Sequence, residues 1–211
     1  MSRKVFIITG EPSGDLHGAN LVKALVEQDP SVEIQCWGGD KMQDAGAKVM
    51  KHVDDLAFMG FVEVIANLRT IFKNFKICRE QIEAFNPDLV VLIDYPGFNL
   101  RMAKHIKALS IPVAYYISPQ IWAWKESRVE KIKRFVDHVF VILPFEKEFY
   151  AKHGVDAEYV GHPLLDEIKH IHLDDAKFRT EIGVKNTKPI IALLPGSRTQ
   201  EIKLLLEPIS R

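Results

Sequence analysis

Asp94 follows the continuous apolar run Val90-Val91-Leu92-Ile93 and precedes Tyr95-Pro96-Gly97-Phe98-Asn99. A run apolar at every position fits a strand covered on both faces, as in a parallel sheet. Ligands of open α/β sheets bind beyond the carboxyl ends of the strands. Asp94 is therefore expected to project into the functional crevice, with a Pro-Gly turn after it and Asn99 available to cap the next helix. A carboxylate beside Tyr95 and Phe98, shielded from water, would have its pKa raised toward working pH and serve as a general base. The plainer alternative is an acceptor that shapes the Asp-Tyr-Pro-Gly turn.

Three further segments could bind rather than react. Gly10-Glu11-Pro12-Ser13-Gly14-Asp15 joins the first strand to the first helix, where unpaired N–H groups and the helix dipole favour anions. Its spacing is not G-x-G-x-x-G and no acid closes the second strand where a ribose would need it, so a dinucleotide site is disfavoured. Glu11 and Asp15 sit poorly in a simple phosphate cradle, and a tight turn capped by Ser13 is the competing reading. Tyr115 to Trp124 places two Tyr and two Trp around the polar turn Ser118-Pro119-Gln120. Aromatic faces with polar groups grip sugars, though aromatics also fill cores. Lys125, Arg128, Lys131, Lys133 and Arg134 follow, either as a solvated face or as an attraction to anionic lipid or phosphate. Pro195-Gly196-Ser197-Arg198 closes another apolar run, and Arg198 suits a nucleotide diphosphate by bidentate pairing. His17 and His162 have no partners at metal-ligand spacing, so no metal is expected.

The elements that must position these residues alternate. Strands are expected at 5–8, 32–37, 89–93, 112–117, 138–142 and 157–160, with a shorter one at 48–50. Helices are expected at 16–26, 41–45, 62–85, 99–109, 126–135 and 145–152. Alternation of this kind predicts a Rossmann-like, doubly wound parallel sheet over residues 1–163. The polar stretch 164–186 reads as a linker. Residues 187–211 read as the start of a second α/β domain, with a buried strand at 189–194 and a helix from Thr199. The helix at 62–85 carries Val64, Ile65, Leu68, Ile71, Phe72 and Phe75 at helical spacing, interleaved with Arg69, Lys73, Lys76 and Arg79. That is a core-facing helix or one that dips into a bilayer surface.

Composition sets the outer limits. The 211 residues carry 28 basic and 28 acidic side chains, a net charge of zero that gives no dedicated nucleic-acid surface. Cys36 and Cys78 stand far apart and read as buried free thiols. No signal peptide is expected from the opening residues, and no apolar run reaches the roughly 20 residues of a spanning helix. A soluble or peripheral protein is expected.

Together, GEPSGD, MGFVEV, IDYPGFN, SPQIWAWKESRVEKIKR, LPFEKEFY, VGHPLLD and LLPGSR resemble the lipid-A-disaccharide synthases over nearly the whole chain. The resemblance implies the amino-terminal half of a two-domain (GT-B) inverting glycosyltransferase. Such an enzyme joins UDP-2,3-diacylglucosamine to 2,3-diacylglucosamine 1-phosphate, without metal or cofactor, and releases UDP. Asp94 matches the family's proposed base. Glu11, Ser13 and Asp15 match the first-turn motif on the acceptor side, and Arg198 matches the arginine near the donor diphosphate. Asn99, Ser118, Gln120 and Trp122 fall in motifs implied to bind substrate. Val62, Val64, Ile65, Leu68, Ile71 and Phe72 match an apolar patch that docks on the cytoplasmic face of the inner membrane. The resemblance also implies a length nearly twice this one, so these residues alone are expected to be inactive. Gly97 departs from relatives that carry a second acid there. Competing expectations are another UDP-sugar enzyme such as an epimerase, or a non-catalytic module that binds lipid at a membrane surface.

Overall fold

Seven short segments form parallel strands: β1 (Lys4–Ile8), β2 (Glu33–Gly38), β3 (Lys48–His52), β4 (Leu89–Ile93), β5 (Val113–Tyr116), β6 (His138–Val141) and β7 (Ala157–Tyr159). The computed structural model describes residues 2–56, 68–124, 126–169, 174–185, 188–196 and 199–210. The strands lie in one sheet in the order β3-β2-β1-β4-β5-β6-β7. β1 pairs with both β2 (Ile7 beside Cys36) and β4 (Ile7 beside Val91). The direction of winding reverses between β1 and β4, which is where open α/β sheets hold their ligands.

The side chains of the central strands alternate between two cores with the period of two that strands impose. Phe6, Ile8, Val90 and Leu92 face one side, where they join Phe75, Cys78 and Ile82 of α3 (Leu68–Phe85) and Phe98, Met102 and Ile106 of α4 (Pro96–Ala108). Val5, Ile7, Val91 and Ile93 face the other, with Ala19 and Val22 of α1 (Pro12–Gln28) and Met42 of α2 (Asp40–Asp44). With both faces covered, the strands have no polar side to show, which accounts for their unbroken apolar sequence. Cys36 and Cys78 are free and buried, and burial pushes the Cys36 thiol up to about 12. Both are inert core residues.

Proline sets three helix starts. Pro12, Pro96 and Pro144 lie in the first turns of α1, α4 and the helix Pro144–Lys152, where a missing N–H costs nothing. The sequence pattern predicts helix starts at Leu16 and Asn99, several residues later than the observed ones. Ser13 and Asn99 are consequently inside first turns and cap neither helix. α3 ends where expected, because Asn86 adopts φ 48° and its N–H closes on the Ile82 carbonyl at 2.8 Å, followed by Pro87.

The chain divides into two compact units, Met1–Asp166 and Glu167–Arg211. In the second, the helices Asp175–Glu181 and Thr199–Ser210 form, but the strand expected at 189–194 does not. Ile191 and Leu194 are 84% and 87% exposed. An apolar parallel strand needs hydrogen-bonded neighbours, and no strand among the described residues pairs with this segment. Among the described residues, no helix is long and apolar enough to cross a membrane.

Candidate active site

At the carboxyl end of β4 the backbone does something that L-residues avoid. Asp94 (φ 43°) and Tyr95 (φ 48°) are consecutive non-glycine residues in the left-handed region. Each costs about 1–3 kcal/mol and persists only when its surroundings over-determine it. Three contacts do so here. The Tyr115 hydroxyl donates to the Asp94 carbonyl at 2.6 Å. The Asn99 amide donates to the same carbonyl at 2.8 Å, and to those of Ile93 and Ile8 at 3.1 and 3.4 Å. The Tyr95 ring stacks on Phe98 with centroids 5.5 Å apart and lies so close over Gly10 that a Cβ there would stand 2.4 Å from its Cγ. Gly10 thus lets the ends of β1 and β4 meet at the switch point.

Asp94 opens onto a cavity of about 340 Å³, lined also by Pro96, Ile117, Ser118, Pro119, Gln120, Arg128, Ile142 and Glu146. This is the carboxyl edge of β4, β5 and β6. Ile117 has φ 56°, a strained value for a β-branched residue, and it turns the chain from β5 into the polar turn. The Ser118 side chain is buried beside the Tyr150 phenol. Gln120 is exposed at the rim. Glu146 is buried, and its Oε2 accepts from the N–H groups of Ile142 (3.2 Å) and Leu143 (2.9 Å), while Oε1 accepts from the Trp122 indole at 3.2 Å. The Trp122 ring also meets Phe145 edge-on at 4.9 Å. A single carboxylate therefore binds the aromatic turn to the end of β6. Burial raises the Tyr150 phenol to about 12, with the Ser118 hydroxyl acting in the opposite direction and Glu146 in the same one.

The first turn is built around Asp15. The carboxylate of Asp15 is buried, and it accepts from the backbone N–H groups of Gly39 (2.6 Å), Lys41 (3.1 Å) and Met42 (3.2 Å). It caps α2 from α1, a construction role. Gly14 sits against Thr9, where a Cβ would fall 1.8 Å from the hydroxyl oxygen, so α1 starts directly on the end of β1. Glu11 is half-buried. After burial, its charge is the second cause that lifts the Tyr95 phenol to about 12, so Glu11 and Tyr95 share the crevice. Ser13 is exposed.

Two expectations change on this geometry. Asp94 is exposed, because Phe98 turns inward to stack between Phe75 (4.3 Å) and Trp37 (5.3 Å). The aromatic shield foreseen for the carboxylate is not built by these residues. Ile71 is half-buried against the core, whereas Phe72 is 65% exposed, so only Phe72 of that pair faces outward. The side chain of Leu68, together with Val62, Val64, Ile65 and Arg198, lies outside the described residues. Among the described residues, no three His, Cys, Asp or Glu side chains converge as metal ligands would. Glu146 is a residue of this site that the sequence motifs do not single out. Glu146 left a trace in the sequence, an acid three residues after the residue that precedes the helix. Tyr115 is marked in the sequence only as one of an aromatic cluster, and its hydroxyl acts across the sheet.

A Rossmann-type sheet, with an acid at its switch point and a cavity beyond β4 to β6, is an α/β architecture of the kind that holds ligands beyond the carboxyl ends of its strands. Solved structures share the fold. A UDP-GlcNAc 2-epimerase from Neisseria meningitidis, bound to UDP-GlcNAc, is 12% identical with a TM-score of 0.59, over 85% of this chain and 53% of that one. A putative epimerase from Listeria monocytogenes is 15% identical at 0.61, over 85% and 51%. Sequence is more specific. The profile of the lipid-A-disaccharide synthetase family matches residues 5–211, and the chain belongs to that family. The lipid-A-disaccharide synthase of Trichlorobacter lovleyi is 44% identical over 98% of this chain, and that of Coxiella burnetii (strain Dugway 5J108-111) is 43% identical over 97%. The chain spans about half the length of these relatives, 54% in both cases.

Proposed function

We propose that this chain supplies the acceptor half of an inverting glycosyltransferase that builds the lipid A disaccharide. The single observation that carries the reading is the place of Asp94, held at the switch point of the sheet with its side chain at the mouth of the cavity. The acceptor is a 2,3-diacylated glucosamine 1-phosphate and the donor its UDP-linked counterpart. The Asp94 carboxylate takes the proton of the acceptor 6-hydroxyl as that oxygen attacks the anomeric carbon of the donor. The bond from that carbon to the UDP oxygen breaks with its electron pair, and configuration inverts. The proton on Asp94 then passes to solvent, which its exposure permits. Ser118, Gln120 and Arg128 supply the polar lining for the acceptor, and Arg198 is assigned to the donor side from its Pro-Gly-Ser-Arg motif. No metal or cofactor enters the scheme. The solved epimerase that binds UDP-GlcNAc has the same fold, which supports a UDP-sugar as donor. Because the chain spans about half of its relatives, the reaction is proposed for the whole protein, and these residues alone are expected not to turn over.

The test is disaccharide formation by the full-length protein carrying Asp94→Asn. General-base catalysis contributes roughly 10²–10⁴-fold, and a loss of that size is expected with the acceptor KM little changed. Wild-type turnover would remove Asp94 as the base, whereas absence of disaccharide formation by the unaltered full-length protein would favour a non-catalytic lipid-binding module.

The acyl chains of such substrates lie in a bilayer, so peripheral docking on the cytoplasmic face of the inner membrane is part of the proposal. In its support, exposed Phe72 is flanked on α3 by exposed Arg69, Lys73, Lys76 and Arg79. Co-sedimentation with anionic vesicles should fall several-fold in the full-length double variant Leu68→Glu, Phe72→Glu, since each buried apolar side chain contributes about 1.5–3 kcal/mol. Unchanged sedimentation would return α3 to a purely core-facing role.

A further inference from the structure

We infer that Tyr115 and Asn99 are positioning residues that aim Asp94 by holding its carbonyl, an inference that rests on Asp94 being the base. Neither side chain lines the cavity, so neither is placed to touch substrate. Both end on one atom, the Asp94 carbonyl oxygen, at 2.6 and 2.8 Å. That carbonyl belongs to the first of two consecutive left-handed, non-glycine residues. Such a pair relaxes toward ordinary backbone unless something outside it holds on. Relaxation of Asp94 from its left-handed φ would swing its Cα–Cβ bond and carry the carboxylate off the cavity mouth.

The two donors are themselves fixed. Tyr115 is a β5 residue in register with Leu92 of β4 and is wholly buried. Burial, with the nearby Asp94 charge, holds its phenol well above the usual range, so it stays a donor at any working pH. The Asn99 amide also reaches the carbonyls of Ile8 and Ile93, the last residues of β1 and β4. Only a donor fits among three carbonyls, which fixes the amide orientation. The base is thereby referenced to both strands that flank the switch point, as preorganised sites require.

A core tyrosine that merely satisfies a carbonyl would affect folding alone, and kinetics separate the two roles. In the full-length protein, Tyr115→Phe removes one oxygen and adds nothing. We expect kcat to fall at least tenfold at temperatures where the variant remains folded, with acceptor and donor KM within about twofold, the signature of a transition-state effect. Asn99→Ser, which shortens the second donor, should act in the same direction. The Tyr115→Phe loss should shrink to within twofold in an Asp94→Glu background, because a positioning residue has nothing to add once the group it aims has been moved. If Tyr115→Phe retains wild-type kcat, or its full loss persists in the Asp94→Glu background, the inference is overturned. If Asp94→Asn itself turns over normally, the base assignment fails first, so the two failures are distinguishable.

Discussion

Gly10 is the residue on which the site turns, although it carries no chemistry. Its missing side chain is the space in which the Tyr95 ring lies, and a methyl there would meet ring carbons at 2.4 to 2.6 Å. Gly10→Ala should therefore cost about 1–3 kcal/mol by overpacking, read as a lower urea midpoint. It should also depress kcat of the full-length protein by up to roughly 100-fold, since small misplacements of a catalytic group are that costly. A stable variant with wild-type kcat would show that Tyr95 need not lie there. Asp15→Asn probes a different role. It loses the charge that three backbone N–H groups share, and hydrogen bonds to charged groups contribute about 1.5–3 kcal/mol each. Destabilisation of at least that size, without a selective change in acceptor KM, would mark Asp15 as a builder of the turn. Residue types at strand ends are what made Asp94 legible in the sequence. Hydrogen bonds across the sheet are not written in local order, which hid the role of Tyr115 and made Asn99 look like a cap.

Elements were the most legible level, because a parallel sheet buries both faces and writes apolar runs between helical periods. The late starts of α1 and α4 have one cause, a proline that reads as a turn but sits in the first helical turn. The segment 189–194 has the opposite cause. Apolar composition alone makes no strand without a neighbour to pair with. One junction between elements is sensitive to pH. His153, just past the helix Pro144–Lys152, lies with Nδ1 2.9 Å from the Phe149 carbonyl and Nε2 2.7 Å from Glu126 of the turn that leads to Arg128. The Phe149 carbonyl first, then the Glu126 hydrogen bond, raise the His153 pKa above 6.5. A raised folded-state value stabilises the protein fully below the unfolded value, near 6.5. That stabilisation disappears as pH rises through the folded value. The Tm difference between wild type and His153→Gln should accordingly be largest at about pH 6 and decline above neutrality. A difference that is flat with pH would mean that the imidazole is not charged in this junction.

At the scale of the molecule, the two units differ in what holds them together. Among the described residues, every buried hydrophobic side chain lies between Val5 and Ala157, inside the unit Met1–Asp166. The unit Glu167–Arg211 leaves Ile191, Leu194 and Leu204 exposed, the last at 74%. Cooperative stability follows buried apolar area, so the sheet and its two cores should fold without the second unit. A fragment of residues 1–166 should be monodisperse. It should also unfold in urea with a midpoint near that of the 211-residue chain, and with a slightly smaller m-value because less surface is exposed. Its cavity side chains, all at or before Glu146, should remain in place. The burial environment of Trp37, which stacks on Phe98 and donates to Gln81, makes near-ultraviolet circular dichroism a direct report on the core. A fragment with helix and strand signals but no near-ultraviolet signal would show that the core depends on residues beyond Asp166.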